Sequence, residues 1–157
     1  VGTGPGSRHH YRFRTTWHLA ASPARVYAVL ERAEHYPRWW PQVRALTGTG
    51  ADIGTARFRS VLPYTLTVTL RALRQDPAAG VLEIGMGGDM TGWARWTVRA
   101  AGDGAAALWE QDVELRRRSL RLLALPARPL LVANHTAMMR AGERRLRALL
   151  ERGLDEV

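Results

Sequence analysis

The stretch "YTLTVTLRA" (residues 64–72) decides the fold. Tyr64, Leu66, Val68, Leu70 and Ala72 alternate with Thr65, Thr67, Thr69 and Arg71. A period of two puts every apolar side chain on one face of an extended chain. The threonines are β-branched and favour that conformation. The stretch therefore reads as a strand with one face buried. The same pattern extends to both sides. Upstream, Ala56, Phe58 and Ser60 alternate with Arg57 and Arg59, and residues 43–49 form a shorter run. Downstream, Leu82, Ile84 and Met86 make an apolar face. Trp96 and Val98 follow, with Trp93, Arg95 and Arg99 opposite. Trp109, Gln111, Val113 and Leu115 come last, with Glu110, Asp112 and Glu114 facing away. The joining strings "GTGADIG", "DPAAG", "GGD" and "AGDG" are turn sequences. Six or so consecutive strands joined by short turns must be antiparallel.

The two ends of the chain supply the rest. In "YRFRTTWHLA" (residues 11–20), Tyr11, Phe13, Thr15, Trp17 and Leu19 share a face, which makes another half-buried strand. Ser22 and Pro23 read as a helix cap and a first-turn proline. "ARVYAVLERA" places Val26, Tyr27, Val29 and Leu30 at helical spacing. That helix should be short, since Pro37 disfavours helical geometry at Tyr36. In "HYPRWWPQV" (residues 35–43) a second helical turn is expected around 37–40. Its two prolines fix a bend, so one of Trp39 and Trp40 should be buried and the other should border an opening with Tyr36. Near the C-terminus, residues 120–125 are apolar and stop at Pro126. From Pro129 to about Arg152 one long helix is expected, with Leu131, His135, Met138, Gly142, Leu146 and Leu149 on its inner face.

The order is one strand, two short helices, about six strands and a long helix. This is an α+β chain. A curved antiparallel sheet of about seven strands has one face to bury, and the C-terminal helix is the partner available. Side chains that do not fill the space between them leave a ligand site.

Composition sets further bounds. A length of 157 residues fits one domain. The chain has no cysteine, which excludes disulfides, thiolate catalysis and cysteine-bound metal. No apolar run reaches the length of a membrane span. The Gly-rich start, residues 1–10, reads as a flexible arm without the apolar core of a signal peptide. A cytoplasmic location is expected. The net charge is +9, yet all 23 basic residues are Arg and they are spread along the chain, so no nucleic-acid partner is expected. The dense cluster is Arg116, Arg117, Arg118 and Arg121. It reads as a solvated edge, or as an attraction to an acidic partner or an anionic membrane. The chain could be a monomer or a homodimer.

Three strings carry a family resemblance: "SPARVYAVLERAEHYPRWWPQV" (22–43), "GWARWTV" (92–98) with "ALWEQDVEL" (107–115), and "ANHTAMMRAGERRLRALL" (133–150). With this element order they resemble the START-like (SRPBCC) superfamily, in particular its polyketide cyclase/dehydrase and lipid-transport subgroup. The resemblance covers roughly Tyr11 to Arg152 and implies a helix-grip fold with an apolar cavity between sheet and helix; residues 11–157 are read as a single domain. It implies that Tyr36, Trp39 and Trp40 lie near the cavity. Phe58, Tyr64, Leu66, Leu82, Ile84, Trp96, Trp109 and Gln111 would form its wall. Asn134, Met138 and Met139 would approach from the helix.

No strong catalytic motif is present. The serines have no G-x-S-x-G context. The histidines have no metal-binding spacing, so no metal or other cofactor is expected. "GTGADIG" lacks the spacing of a dinucleotide fingerprint and joins two strands. Tyr64, Gln111, Asn134 and His135 are the polar groups able to orient a ligand or satisfy one another. Arg57, Arg59 and Arg95 belong to outward faces and should pair with carboxylates on neighbouring strands. "SLRLLALPARPLLV" (119–132) reads as a buried helix start, with a membrane-docking portal as the alternative. The leading expectation is binding or transport of a lipid, isoprenoid or polyketide-like molecule. The alternatives are a polyketide aromatase/cyclase or dehydratase, and a protein-interaction module.

Overall fold

The computed structural model describes residues 9–48, 53–59 and 65–153. The chain opens with β1 (His10–Leu19), then α1 (Pro23–Glu31), a 3-10 turn (Ala33–His35) and α2 (Tyr36–Trp39). Six strands follow: β2 (Val43–Gly48), β3 (Ile53–Arg59), β4 (Thr65–Asp76), β5 (Val81–Gly88), β6 (Met90–Ala101) and β7 (Gly104–Leu115). The chain ends in α3 (Arg118–Glu151). All pairings are antiparallel, in the order β1-β7-β6-β5-β4-β3-β2. The sheet thus begins and ends with the two strands that α1 and α2 connect. α3 covers its inner face.

The expected alternation holds along the strands. On β1, Tyr11, Trp17 and Leu19 are buried, whereas Arg12, Arg14, Thr16 and His18 are exposed. On β7, Trp109, Gln111, Val113 and Leu115 are buried between half-buried acids. Acids meet arginines on the outer face: Arg12 lies 2.8 Å from Asp112, and Arg95 2.7 Å from Glu83 on β5. Arg57 is exposed, and the side chain of Arg59 lies outside the described set. In β4 the register slips between Ala72 and Arg74. Leu73 is the extra residue; it turns outward and is 52% exposed. Beyond this bulge Gln75 pairs with Leu82, so the two share the inner face. The sheet also curls at Gly92, whose φ is 145°. A Cβ there would meet the Asp112 carbonyl oxygen at 2.0 Å, so only glycine lets β6 run this close to β7.

The helices are built as their ends suggest, with two corrections. Ser22 caps α1 by accepting from the Arg25 N–H at 3.3 Å, and Pro23 occupies the first turn. Tyr36, however, is helical (φ −52°, ψ −40°) despite preceding Pro37. Its hydroxyl donates to the Leu30 carbonyl at 2.6 Å, and its ring packs on Trp39 and Trp40. These contacts outweigh a local preference. The second correction concerns α3. It does not start at Pro129 but at Arg118, and Pro126 and Pro129 lie inside it. Proline's fixed φ suits a helix, and the cost is a missing N–H and a crowded carbonyl one turn back. Tertiary contacts hold the segment in place: Leu120 is buried, and Arg128 donates to the His10 carbonyl at 3.2 Å and covers the Tyr11 ring.

The core falls into two clusters. One contains Trp17, Leu19, Leu30, Trp40, Trp96, Met139 and Leu146. The other contains Tyr11, Val68, Leu70, Met90, Val113, Leu115 and Leu120. Leu46, Phe58, Ile84 and Met86 border both and are only partly buried. Space remains between the clusters. Among the described residues no helix is long and apolar enough to cross a membrane.

Candidate functional site

That space is a cavity of about 210 Å³ between the sheet and α3. Phe58 on β3, Leu66 on β4 and Ile84 on β5 line one side, with Leu82 beside Ile84. Trp96 on β6 and Trp109 and Gln111 on β7 line the other. α3 contributes Asn134 and Met138, and α2 contributes Tyr36 and, just past its end, Trp40. The wall continues past Glu31 and Ala33 to Gln75 near the end of α1.

Two expected residues stand elsewhere and one is outside the described set. Trp39 does not line the cavity: Trp40 takes the cavity side, and Trp39 stacks behind it at 5.5 Å with planes 17° apart. Both indoles are buried, so neither stands exposed at an opening. Met139 is buried among the core side chains instead of facing the space. Tyr64 lies outside the described residues. The structure adds lining residues that the sequence reading does not name as cavity wall: Tyr11, Phe13, Leu70, Met86 and Met90. Each falls on an inner strand face or at a strand start, so the alternation itself is the signal that finds them.

An aromatic row runs beside the cavity, and Trp40, Trp96 and Trp109 are its members in the wall. Trp39 stacks on Trp40, Trp40 meets Trp17 at 5.3 Å, Trp17 meets Trp96 at 4.6 Å, and Trp96 meets Trp109 at 4.8 Å. The Trp40 indole donates to the Met138 carbonyl at 3.0 Å, which ties α2 to α3. The phenol of Tyr36 is locked by its bond to Leu30. Burial pushes its pKa well above the ordinary range, although the nearby Trp96 indole works the other way. Tyr36 is therefore a neutral anchor and not a proton carrier at neutral pH.

The polar chemistry sits at Gln111 and His135. Trp109 N–H can only donate, and it lies 3.3 Å from Gln111 Oε1. That fixes which way the amide points. His135 Nε2 approaches the same oxygen at 3.1 Å. An amide oxygen only accepts, so Nε2 carries the proton and Nδ1 is the basic nitrogen. Burial lowers the His135 pKa to about 4, and its ring lies flat on Phe13 at 3.7 Å. The imidazole is neutral at physiological pH. The Gln111 amide nitrogen has only weak sulfur neighbours, Met90 at 3.9 Å and Met86 at 4.0 Å. It is a donor placed in an apolar cavity with no strong acceptor among the described residues. Also among the described residues, no three His, Asp or Glu side chains form a cluster able to hold a metal.

Comparison with known proteins agrees with this architecture. The family described as "Polyketide cyclase / dehydrase and lipid transport" matches residues 10–151. No curated protein matches the sequence. Among solved structures, the Zhui aromatase/cyclase from Streptomyces sp. R1128 superposes with a TM-score of 0.76 at 18% identity, over 93% of this chain and 96% of that one. A START superfamily protein from Mycobacterium smegmatis gives 0.66 at 12% identity, over 87% and 98%. A norcoclaurine synthase from Thalictrum flavum gives 0.64 at 14% identity, over 90% and 96%. At these identities the likeness is one of fold.

Proposed function

We propose, from the premise that this chain belongs to the polyketide cyclase/dehydrase and lipid transport family, that it binds an apolar small molecule bearing a carbonyl or hydroxyl oxygen. The observation that carries this reading is the cavity itself, walled mainly by apolar side chains with the Gln111–His135 pair set among them. Burial of the ligand's apolar surface supplies the affinity, at roughly 25 cal/mol per Å² before ordering costs. The Gln111 amide N–H supplies orientation, because a ligand oxygen satisfies a donor that has only sulfur neighbours. Lipids, isoprenoids and polyketide-like chains all meet this description, and transport is the use that needs nothing beyond it.

A second reading is supported by His135. A neutral imidazole beside a bound polyketone can accept a proton from an acidic carbon, as an aromatase/cyclase or dehydratase requires, but a pKa of about 4 makes it a weak base at neutral pH. The fold shared with an aromatase/cyclase is consistent with it.

Native mass spectrometry of the purified protein and titration with long-chain fatty acids or farnesol test the first reading. Trp40, Trp96 and Trp109 line the cavity, so binding should change tryptophan emission. The variant Gln111→Leu should weaken ligands that carry an oxygen by about 1–3 kcal/mol and leave pure hydrocarbons unaffected. Equal losses for both would remove the orienting role. Absence of any uptake would remove the reading.

A further inference from the structure

The first half of α3 has two unlike faces. Its inner face contributes Leu120, Leu131 and His135 to the cavity. Its outer face is apolar yet lies in solvent: Leu122 is 83% exposed, Leu130 56% and Val132 41%. Pro126 and Pro129 are exposed between them. At the N-terminal end stand Arg116, Arg117, Arg118 and Arg121, all exposed. Arg116 and Arg117 lie 3.8 and 3.7 Å from Glu114 and Asp89. Arg118 and Arg121 make no ion pair among the described residues. From Leu115 to Gly142 the sequence contains no acidic residue at all.

A helix face of this kind normally turns inward. Two exposed leucines and an exposed valine beside unpaired arginines are instead the pattern of a helix lying at a lipid headgroup boundary. We propose that the outer face of residues 116–132 docks on an anionic lipid surface. Leu122 and Leu130 would enter the acyl boundary, while Arg118 and Arg121 meet phosphates. Charge argues against a second copy as the occupant. The chain carries +9, and a symmetric pairing on this face would set the same arginines against each other. The docked segment would lie directly over the cavity. It is also the part of α3 that lacks two backbone donors, and the cap residue before it, Arg117, makes no side-chain capping bond. Docking rests on this surface alone and stands whether or not the cavity ligand is as proposed above.

Co-sedimentation of the full chain with vesicles tests it. The chain should bind phosphatidylcholine vesicles containing phosphatidylglycerol, should ignore pure phosphatidylcholine, and should detach as salt rises. Each arginine at an anionic leaflet is worth roughly fivefold in affinity, so Arg118→Gln with Arg121→Gln should lose roughly 25-fold. Leu122→Ser with Leu130→Ser should lose at least about tenfold, from lost apolar burial. These positions are exposed, so unchanged melting is expected for both variants. Arg44→Gln with Arg71→Gln removes the same charge from exposed sites on β2 and β4 and should lose less than about threefold. Failure to bind anionic vesicles overturns the proposal. So does an equal loss in the Arg44/Arg71 variant or no loss in the leucine variant, since either means general attraction by net charge. A solution dimer that the leucine variant dissolves would assign the face to a second copy and overturn it as well.

Discussion

His135 shows how one residue couples the cavity to stability. It is 9% exposed, and burial holds its pKa at about 4 against an ordinary value of 6.5. The folded protein therefore binds this proton less readily than the unfolded chain. Stability contributed by the neutral ring is complete above pH 6.5 and is lost as pH falls toward 4. The shift corresponds to about 3 kcal/mol. Urea unfolding at several pH values should show wild type losing about that much more than His135→Leu across this interval. Parallel pH profiles would mean that the ring is protonated in the folded state without penalty. Asp112 acts in a lower window. Burial raises its pKa, but hydrogen bonds from His10 and Arg12 outweigh that and leave it below the usual carboxylate value. Its contribution is lost below roughly pH 4. The sequence shows that Gln111 and His135 are polar residues on apolar faces. It does not show that they meet, because they come from β7 and α3, and their contact depends on where the helix crosses the sheet.

Elements are legible in the sequence where pattern and packing agree. Strands β1, β4 and β7 alternate as read, because each has one face on the core. The beginning of α3 escapes such a reading because proline spacing speaks only for local cost, and the contacts of Leu120 and Arg128 decide the outcome. Trp39 and Trp40 show the same limit: adjacency puts both near the cavity, and stacking chooses between them. Gly142 carries a clearer lesson. Its spacing places it on the inner face of α3, and its size lets two indoles reach the helix. A Cβ there would lie 2.7 Å from Trp40 and 2.9 Å from Trp17. Alanine improves helix propensity by about 1 kcal/mol. Here it should nonetheless destabilise, because Trp40 is tied to the Met138 carbonyl and Trp17 is packed between Trp40 and Trp96, so moving either ring breaks that bond or those contacts. The net loss expected for Gly142→Ala in urea unfolding is about 1–3 kcal/mol. A net gain would show that Trp40 can shift and that its bond to the Met138 carbonyl is dispensable.

At the scale of the whole molecule, the question is why the core is divided. Five of the six tryptophans form one continuous row, and rigid rings of that size cannot collapse into the space beside them. The sheet also sets β1 and β2 at opposite edges, with α1 and α2 joining them. The void is thus a consequence of how the largest side chains are distributed, and not of small residues left unfilled. If so, filling it should cost the fold little and the ligand everything. Leu66 is half-buried and lines the cavity from β4. Leu66→Trp places an indole in space that is already empty. Its unfolding free energy should stay within about 1 kcal/mol of wild type, whereas overpacking a filled core costs about 1–3 kcal/mol. Uptake of an apolar ligand, followed by native mass spectrometry, should disappear. Loss of stability with uptake retained would mean that Leu66 already fills its site and that the ligand space lies elsewhere along the wall.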